Sequence, residues 1–104
     1  MTRDEFRETA LGLAGAAERS HHSHPDFRVG GRIFATLGPG EDPWGMVRLP
    51  PDEQRKLIAA EPDAFEPAAG AWGRQGCTIV HLDRAKKTAV RKAIRSAWKA
   101  RATS

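Results

Sequence analysis

The fold of this chain is decided by residues 24–37, which read HPDFRVGGRIFATL. Gly30 and Gly31 lie between two short runs that are rich in apolar residues, residues 27–29 and residues 33–37. Runs of this length bounded by turn residues are typical of β-strands. Two glycines between such runs favour a tight two-residue hairpin loop. The sequence therefore predicts an antiparallel hairpin, and the hairpin begins a β-meander.

The residues that follow the hairpin predict a third strand and a short helix. Residues 37–43 are rich in glycine, proline and acidic residues and form a loop, after which residues 44–49 are expected to form the next strand. A helix is expected to begin at Pro50, since proline in the first turn gives up no needed donor and the acids that follow favour the positive end of the helix dipole. Pro62 ends this helix.

Strand-like composition returns over residues 65–82. The strongest strand is Cys77–Leu82. Residues 70–76 are interpreted as a glycine-punctuated turn, which carries Trp72 and Arg74. These residues therefore predict a β-hairpin that completes the sheet.

The N-terminal segment, residues 2–17, predicts a helix. Thr2 and Glu5 have the spacing of a capping box, and apolar residues recur at helical spacing after them. Gly12 and Gly15 weaken this helix. The predicted element order is α, β-meander, short α, β-hairpin, α, which is an α+β class with an antiparallel sheet flanked by N- and C-terminal helices.

The last helix combines an apolar face with a strongly basic one. We expect Asp83 to cap it and the helix to run through Trp98 and to fray after Arg101. Residues 1–83 have a charge balance of −4, whereas residues 84–104 contain eight Lys and Arg and no acid, a balance of +8. On a helix, five of these cations form a stripe opposite the apolar face: Arg84, Arg91, Lys92, Arg95 and Lys99. Such a stripe indicates either a polyanionic partner or a solvated basic face.

Length and composition limit the class of protein. The chain has 104 residues and a mass of 11.4 kDa, which suits one domain over residues 1–104. Apolar stretches are too short for a membrane span, and the N-terminus does not resemble a secretory signal. Cys77 has no partner for an intrachain disulfide, which fits a reducing compartment. We therefore expect a cytoplasmic protein without membrane contact, and we expect it to be a monomer.

Two stretches of the chain resemble the MmcQ/YjbR family of small bacterial proteins. The first is residues 24–37, and the second is residues 64–67 followed by residues 71–78, in the right order along the chain. The resemblance implies a compact α+β domain similar to the frataxin-like CyaY fold, and it implies DNA binding through a double-wing arrangement of two hairpins. In this chain the wings would be residues 28–32 and residues 72–76. Cys77 stands where members of the family often have tryptophan.

The candidate nucleic-acid contacts are the polar residues of these two turns and the basic helix. Trp44 and Trp72 could stack on bases if exposed, and otherwise belong to the core. We expect weak, largely sequence-independent DNA binding through phosphate contacts. An alternative is a non-enzymatic adaptor whose basic helix docks on an acidic protein partner. The predicted contacts are Arg28, Arg32, Arg74, Gln75, Arg84, Arg91, Lys92, Arg95 and Lys99.

The sequence gives little support for a metal site, a cofactor or a catalytic residue. If residues 21–24 were a strand, His22 and His24 would share one side, and the other nearby ligands would be Asp26 and His81. A hydrogen-bonded strand edge explains these histidines better than a metal site does. Cys77 and His81 would share a face of one strand but lie about 13 Å apart, too far for a nucleophile and its base. We therefore expect no metal, no cofactor and no catalytic residue.

Overall fold

The computed structural model describes residues 1–103 and arranges them as four helices and one six-stranded sheet. The helices are α1 (Arg3–Leu11), α2 (Pro51–Ala60), α3 (Gly70–Arg74) and α4 (Lys87–Ala102). The strands are β1 (Ala17–His21), β2 (His24–Val29), β3 (Arg32–Leu37), β4 (Trp44–Arg48), β5 (Phe65–Pro67) and β6 (Cys77–His81). Neighbouring strands run antiparallel in the order β1-β2-β3-β4-β6-β5. The predicted α+β class is confirmed.

The hairpin at the start of the sheet has the predicted two-glycine turn. Gly30 and Gly31 have φ angles of +59° and +78°. Glycine adopts these angles freely, whereas a residue with a side chain would be strained there. Their conformation turns β2 directly into β3, with Val29 paired to Arg32. The register shifts by one residue next to Phe27, so the hairpin is locally bulged.

The two faces of the sheet have different roles. One face carries Phe27, Ala35 and Val47, which lie side by side on β2, β3 and β4. Helices α1 and α4 cover this core face with buried residues, among them Phe6 and Ile94. Because side chains alternate along a strand, the residues in between lie on the opposite side, which we call the second face. One row of it across the four central strands is Asp26, Thr36, Met46 and Ile79.

Helix α1 is shorter than predicted. It ends at Leu11 rather than at residue 17, because Gly12 forms the C-cap and Gly15 then takes a φ angle of +72°. The chain thereby leaves the helical path, and Ala17–His21 pairs with β2 as the edge strand β1. The apolar periodicity that extended the predicted helix past Leu11 is thus interrupted by glycine, whose low helix propensity decides the boundary.

The second half of the chain differs from the prediction at two places. Residues 70–74, interpreted as a turn, form the short helix α3. Helix α4 begins at Lys87 rather than after Asp83 and continues to Ala102. Between β6 and α4, the backbone N–H groups of Arg84 and Ala85 donate to the carbonyl of His81, which makes this segment a turn. No helix within residues 1–103 combines the length and apolarity that a membrane span requires.

The start of α1 is fixed by the predicted capping box and by an ion pair to α4. The Glu5 carboxylate accepts from the backbone N–H of Thr2 at 2.9 Å, and the Thr2 hydroxyl accepts from the Glu5 N–H at 3.1 Å. Lys87 donates to the same carboxylate at 2.9 Å. The hydrogen bond from Thr2, and then the one from Lys87, lower the pKa of Glu5 from 4.5 to about 2.

Glu5 is expected to make stability depend on acidic pH. A carboxyl whose pKa is lower in the folded state stabilises the fold above its unfolded pKa, and this contribution disappears as pH falls towards the folded value. Glu5→Gln should therefore be less stable than the wild type at pH 5 and approach it at pH 2.5, measured by urea unfolding at both pH values. Glu8→Gln, an exposed change on the same helix, is the control. Equal pH profiles for the two variants would contradict the assignment.

Candidate functional site

A cavity of about 800 Å³ lies on the second face, at the end where β2 turns into β3. Its apolar lining includes Phe34 and Met46, and Trp72 of α3 also lines it. No aspartate or glutamate is among the described residues that line this cavity. The cationic side chains are supplied from three strands and from the last turn of α4: Arg28, Arg32, Arg48 and Arg101.

Arg28 is held in place by a buried carboxylate. Asp26 is fully buried, and its two oxygens accept from Nε and Nη2 of Arg28 at 2.8 and 3.1 Å. The Nδ1 atom of His21 lies 2.7 Å from the same carboxylate. The bonds from Arg28, followed by that from His21, lower the pKa of Asp26 below its ordinary value, and the bonds to Asp26 raise the pKa of Arg28. Arg28 therefore turns back along its strand instead of projecting from the hairpin tip.

The charges of Arg48 and Arg101 act on the buried Cys77, and that of Arg32 acts on Arg101. Arg48 pairs with Cys77 across β4 and β6, so both side chains lie on the second face. Burial, and then the charges of Arg48 and Arg32, lower the pKa of Arg101. Burial raises the pKa of the Cys77 thiol, although Arg48 and Arg101 oppose this rise. The described lining brings several positive charges to this end of the sheet and contains no carboxylate, so this end can attract an anion.

Helix α3, whose Trp72 lines the cavity, is anchored to its neighbours by Gln54 and by Gly73. The buried side-chain amide of Gln54 donates to the carbonyl oxygens of Gly73 and Cys77 at 3.0 and 3.1 Å. Gly73 approaches the backbone of Ala68 so closely that a Cβ atom would lie 1.9 Å from its carbonyl oxygen. Trp72 itself is 64% exposed, so it does not belong to the core.

Trp44, the other candidate for base stacking, differs from Trp72 in its exposure and its neighbours. Trp44 is half-buried on β4 and makes an edge-on contact with the ring of His24, with centroids 5.9 Å apart. Gly38 leaves room for this indole, since a Cβ atom there would come within 2.6 Å of it. Trp44 is therefore packed between neighbours and does not line the cavity.

The predicted contact residues divide into two groups. Arg28 and Arg32 line the cavity, whereas Arg74 and Gln75 are exposed at the end of α3 and lie outside its lining. Arg84 donates to the carbonyl of Asp63 at 3.4 Å. Four predicted contact residues of α4 lie outside the cavity lining and are exposed on the helix that covers the core face: Arg91, Lys92, Arg95 and Lys99. The structure thus separates the helix stripe from the cavity.

Sequence reasoning missed two of the cavity arginines. Arg48 lies two residues after Met46 on β4, and side chains two residues apart on a strand share a face. The face on which Arg48 lies could therefore have been predicted from the sequence. Arg101 comes from the last turn of α4 and meets Arg48 and Arg32 only in the folded chain. Residues near Arg101 in the sequence therefore do not indicate that it lines the cavity.

The histidines lie near the two edges of the sheet and do not come together as a metal cluster. His21 and His24 pair across β1 and β2 with their rings stacked at 5.8 Å. His22 lies in the turn between these strands at a φ angle of +48°, so the expected shared side for His22 and His24 is wrong. His81 is near the opposite edge, where its Nε2 atom lies 2.8 Å from Glu66. Within residues 1–103, no group of three or more histidine, cysteine and acidic side chains is placed to hold a metal ion.

Comparisons with known proteins agree with this architecture. A Deinococcus radiodurans protein with a DUF419 domain superimposes with a TM-score of 0.81 at 20% identity, covering 93% of this chain and 75% of that chain. A Pseudomonas syringae protein superimposes with a TM-score of 0.75 at 13% identity, covering 97% of this chain and 99% of the other. No curated protein matches significantly. The YjbR family model matches residues 11–100, and the chain therefore belongs to the YjbR family.

Proposed function

We propose that this protein binds nucleic acid, with DNA as the favoured partner, and that the cavity on the second face makes the phosphate contacts. The observation that carries the proposal is the cavity lining, which contains four arginines and no acid among the described residues. Arginine suits this role because its planar guanidinium donates two parallel hydrogen bonds to phosphate oxygens. Phosphate contacts of this kind bind without reading sequence.

Each arginine has a distinct part in the proposal. Arg48 and Arg101, from the end of β4 and the end of α4, contact phosphate together with Arg32. Arg28 is a positioning residue, because its guanidinium is bonded to Asp26. The exposed cations of α4 lie apart from the cavity and contribute a long-range attractive field rather than contacts.

We propose binding without catalysis. A cysteine nucleophile requires a lowered thiol pKa, whereas burial raises the pKa of Cys77. His81 is at the far end of the same strand and is engaged by Glu66. The cavity therefore supports an anion-binding role.

The test is a titration of labelled 20-nucleotide DNA, offered as a single strand and as a duplex, at several salt concentrations. Binding of either form should weaken linearly in log[salt], by a slope of roughly 0.7 to 0.9 per phosphate contacted. Arg48→Gln should remove about one such increment from the slope and weaken binding about fivefold or more. Arg48→Lys, which keeps the charge, should recover part of the loss.

The matched control is Arg91→Gln, which removes the same charge from the exposed face of α4. It should weaken binding less than twofold, because it acts only through the long-range field. An equal loss in both variants would place the contact surface on the helix instead of the cavity. Absence of binding by both DNA forms at low salt would reject the proposed function.

A further inference from the structure

Trp72 is the feature that phosphate binding leaves unexplained. Among residues 1–103 the large apolar side chains that are exposed are Trp72 and Leu11. Trp72 is 64% exposed and lines the cavity from α3, which Gln54 ties to the sheet through two hydrogen bonds. An exposed indole on an anchored element is a platform for a flat ring, because stacking buries its apolar surface.

The cavity has the size and lining of a small-molecule site. Its volume of about 800 Å³ lies within the range of roughly 300 to 1,000 Å³ that is usual for such sites. Apolar side chains such as Phe34 and Met46 contribute to the lining, and the arginines contribute the charge. A ligand that fits therefore combines a flat apolar ring with an anionic group.

The ring of Trp72 and the arginines line the same cavity. Trp72 precedes Cys77 by five residues, and Cys77 pairs directly with Arg48 across β4 and β6. Arg101 lies near both Cys77 and Arg48, since their charges act on one another. A nucleotide has this composition, because its base is a flat ring and its phosphate is an anion one sugar away. In a duplex the bases are paired and stacked inside, so they cannot lie on Trp72.

We infer that the cavity accepts an unpaired nucleotide, with its base stacked on Trp72 and its phosphate held by Arg48 and Arg101. The protein then prefers single-stranded DNA to duplex DNA. This inference rests on the proposed function and adds to it the form of the nucleic acid that is recognised. Stacking of this kind is tolerant of base identity, so little sequence preference accompanies it.

The experiment compares three labelled probes by fluorescence anisotropy at low salt. They are a thymidine 20-mer, the duplex of this strand with its complement, and an abasic 20-mer with the same phosphate backbone. The single strand should bind about tenfold tighter than the duplex and the abasic strand. Trp72→Ala should lower single-strand affinity about tenfold and duplex affinity less than twofold. Trp72→Phe should restore part of the single-strand affinity.

The control variant is Leu11→Ala, which removes the other exposed large apolar side chain, on α1 and outside the cavity lining. It should change the affinity for every probe less than twofold. Equal affinity for single strand and duplex, or an equal loss for both in Trp72→Ala, would overturn the inference and leave the proposed function standing. If none of the three probes binds, the proposed function itself fails and the inference falls with it.

Discussion

Gly76→Ala is expected to destabilise the protein by about 4 kcal/mol or more, which is a large part of the roughly 5 to 15 kcal/mol that holds a domain folded. A Cβ atom at Gly76 would lie 1.7 Å from the carbonyl oxygen of Leu49, and the colliding atom belongs to the backbone. The two residues are also joined, because the Leu49 N–H donates to the Gly76 carbonyl at 2.9 Å. Gly76 has a φ angle of +106°, which strains any side chain.

The substitution Gly76→Ala is expected to distort the cavity as well as to lower the stability of the fold. Gly76 directly precedes β6 and Leu49 directly follows β4, so relief of the collision must separate the start of β6 from the end of β4. The free energy of unfolding by urea measures the effect, with circular dichroism to check whether any folded protein remains.

Gly40→Ala provides a matched control for the same substitution. Gly40 also has a positive φ angle, +60°, but a Cβ atom there would meet nothing within 4 Å. Backbone strain alone should therefore cost about 1 to 2 kcal/mol. The difference between the two variants measures the collision with Leu49 together with the less favourable φ angle of Gly76. If both variants lose the same amount, the close approach of the two backbones does not contribute to stability.

The elements that the sequence predicts well are those decided by neighbouring residues. Gly30 and Gly31 require a turn wherever the flanking strands lie, and the capping box of Thr2 and Glu5 is complete within four residues. The predicted apolar face of α4 is confirmed for the same reason, since helical spacing alone collects Val90, Ala93, Ile94 and Ala97. Local chemistry is sufficient in these cases.

Helix α3 shows where such prediction fails. Its five residues include two glycines, and glycine-rich composition is typical of a turn. The helix forms because Gln54 reaches it from α2, 19 residues away, and because Gly73 fits against Ala68. The exposure of Trp72 depends on the same contacts. Neither the helix nor the exposure of its tryptophan could therefore be predicted from neighbouring residues.

The candidate site was half predictable for a similar reason. Arg28 and Arg32 could be placed by the hairpin, whereas the meeting of Arg48 with Arg101 joins residues 53 positions apart. One contact of the site is local. Asp26 and Arg28 are two residues apart on one strand, where side chains share a face, so their ion pair could have been predicted.

Arg28→Met is expected to destabilise the protein by about 2 to 3 kcal/mol at pH 7. The change keeps most of the apolar length of the side chain but leaves the fully buried carboxylate of Asp26 with His21 alone. Removing one partner of a buried ion pair costs about 3 to 5 kcal/mol because a charge remains in a poorly solvating place. The partial exposure of Arg28, whose side chain is 28% accessible, reduces this loss.

The pH dependence of the loss identifies its cause. In the wild type Arg28 lowers the pKa of Asp26, so the stabilisation is complete above the unfolded pKa of about 3.9 and is lost only below it. In Arg28→Met burial is no longer opposed by arginine and raises this pKa, so the variant gains stability as the carboxyl takes up a proton. The gap between the two proteins, measured by urea unfolding, should therefore narrow from pH 7 to pH 4.

Asp26→Asn separates the ion pair from simple packing, because asparagine keeps the shape of the side chain and removes its charge. In that background Arg28→Met should cost less than about 1 kcal/mol, and the cost should not change between pH 7 and pH 4, since the buried carboxylate is gone. A cost that is the same with aspartate and with asparagine would mean that Arg28 stabilises the fold through its packing alone. Asp26 would then not be what holds the arginine against the sheet, and Arg28 would lose its place as a positioning residue of the cavity.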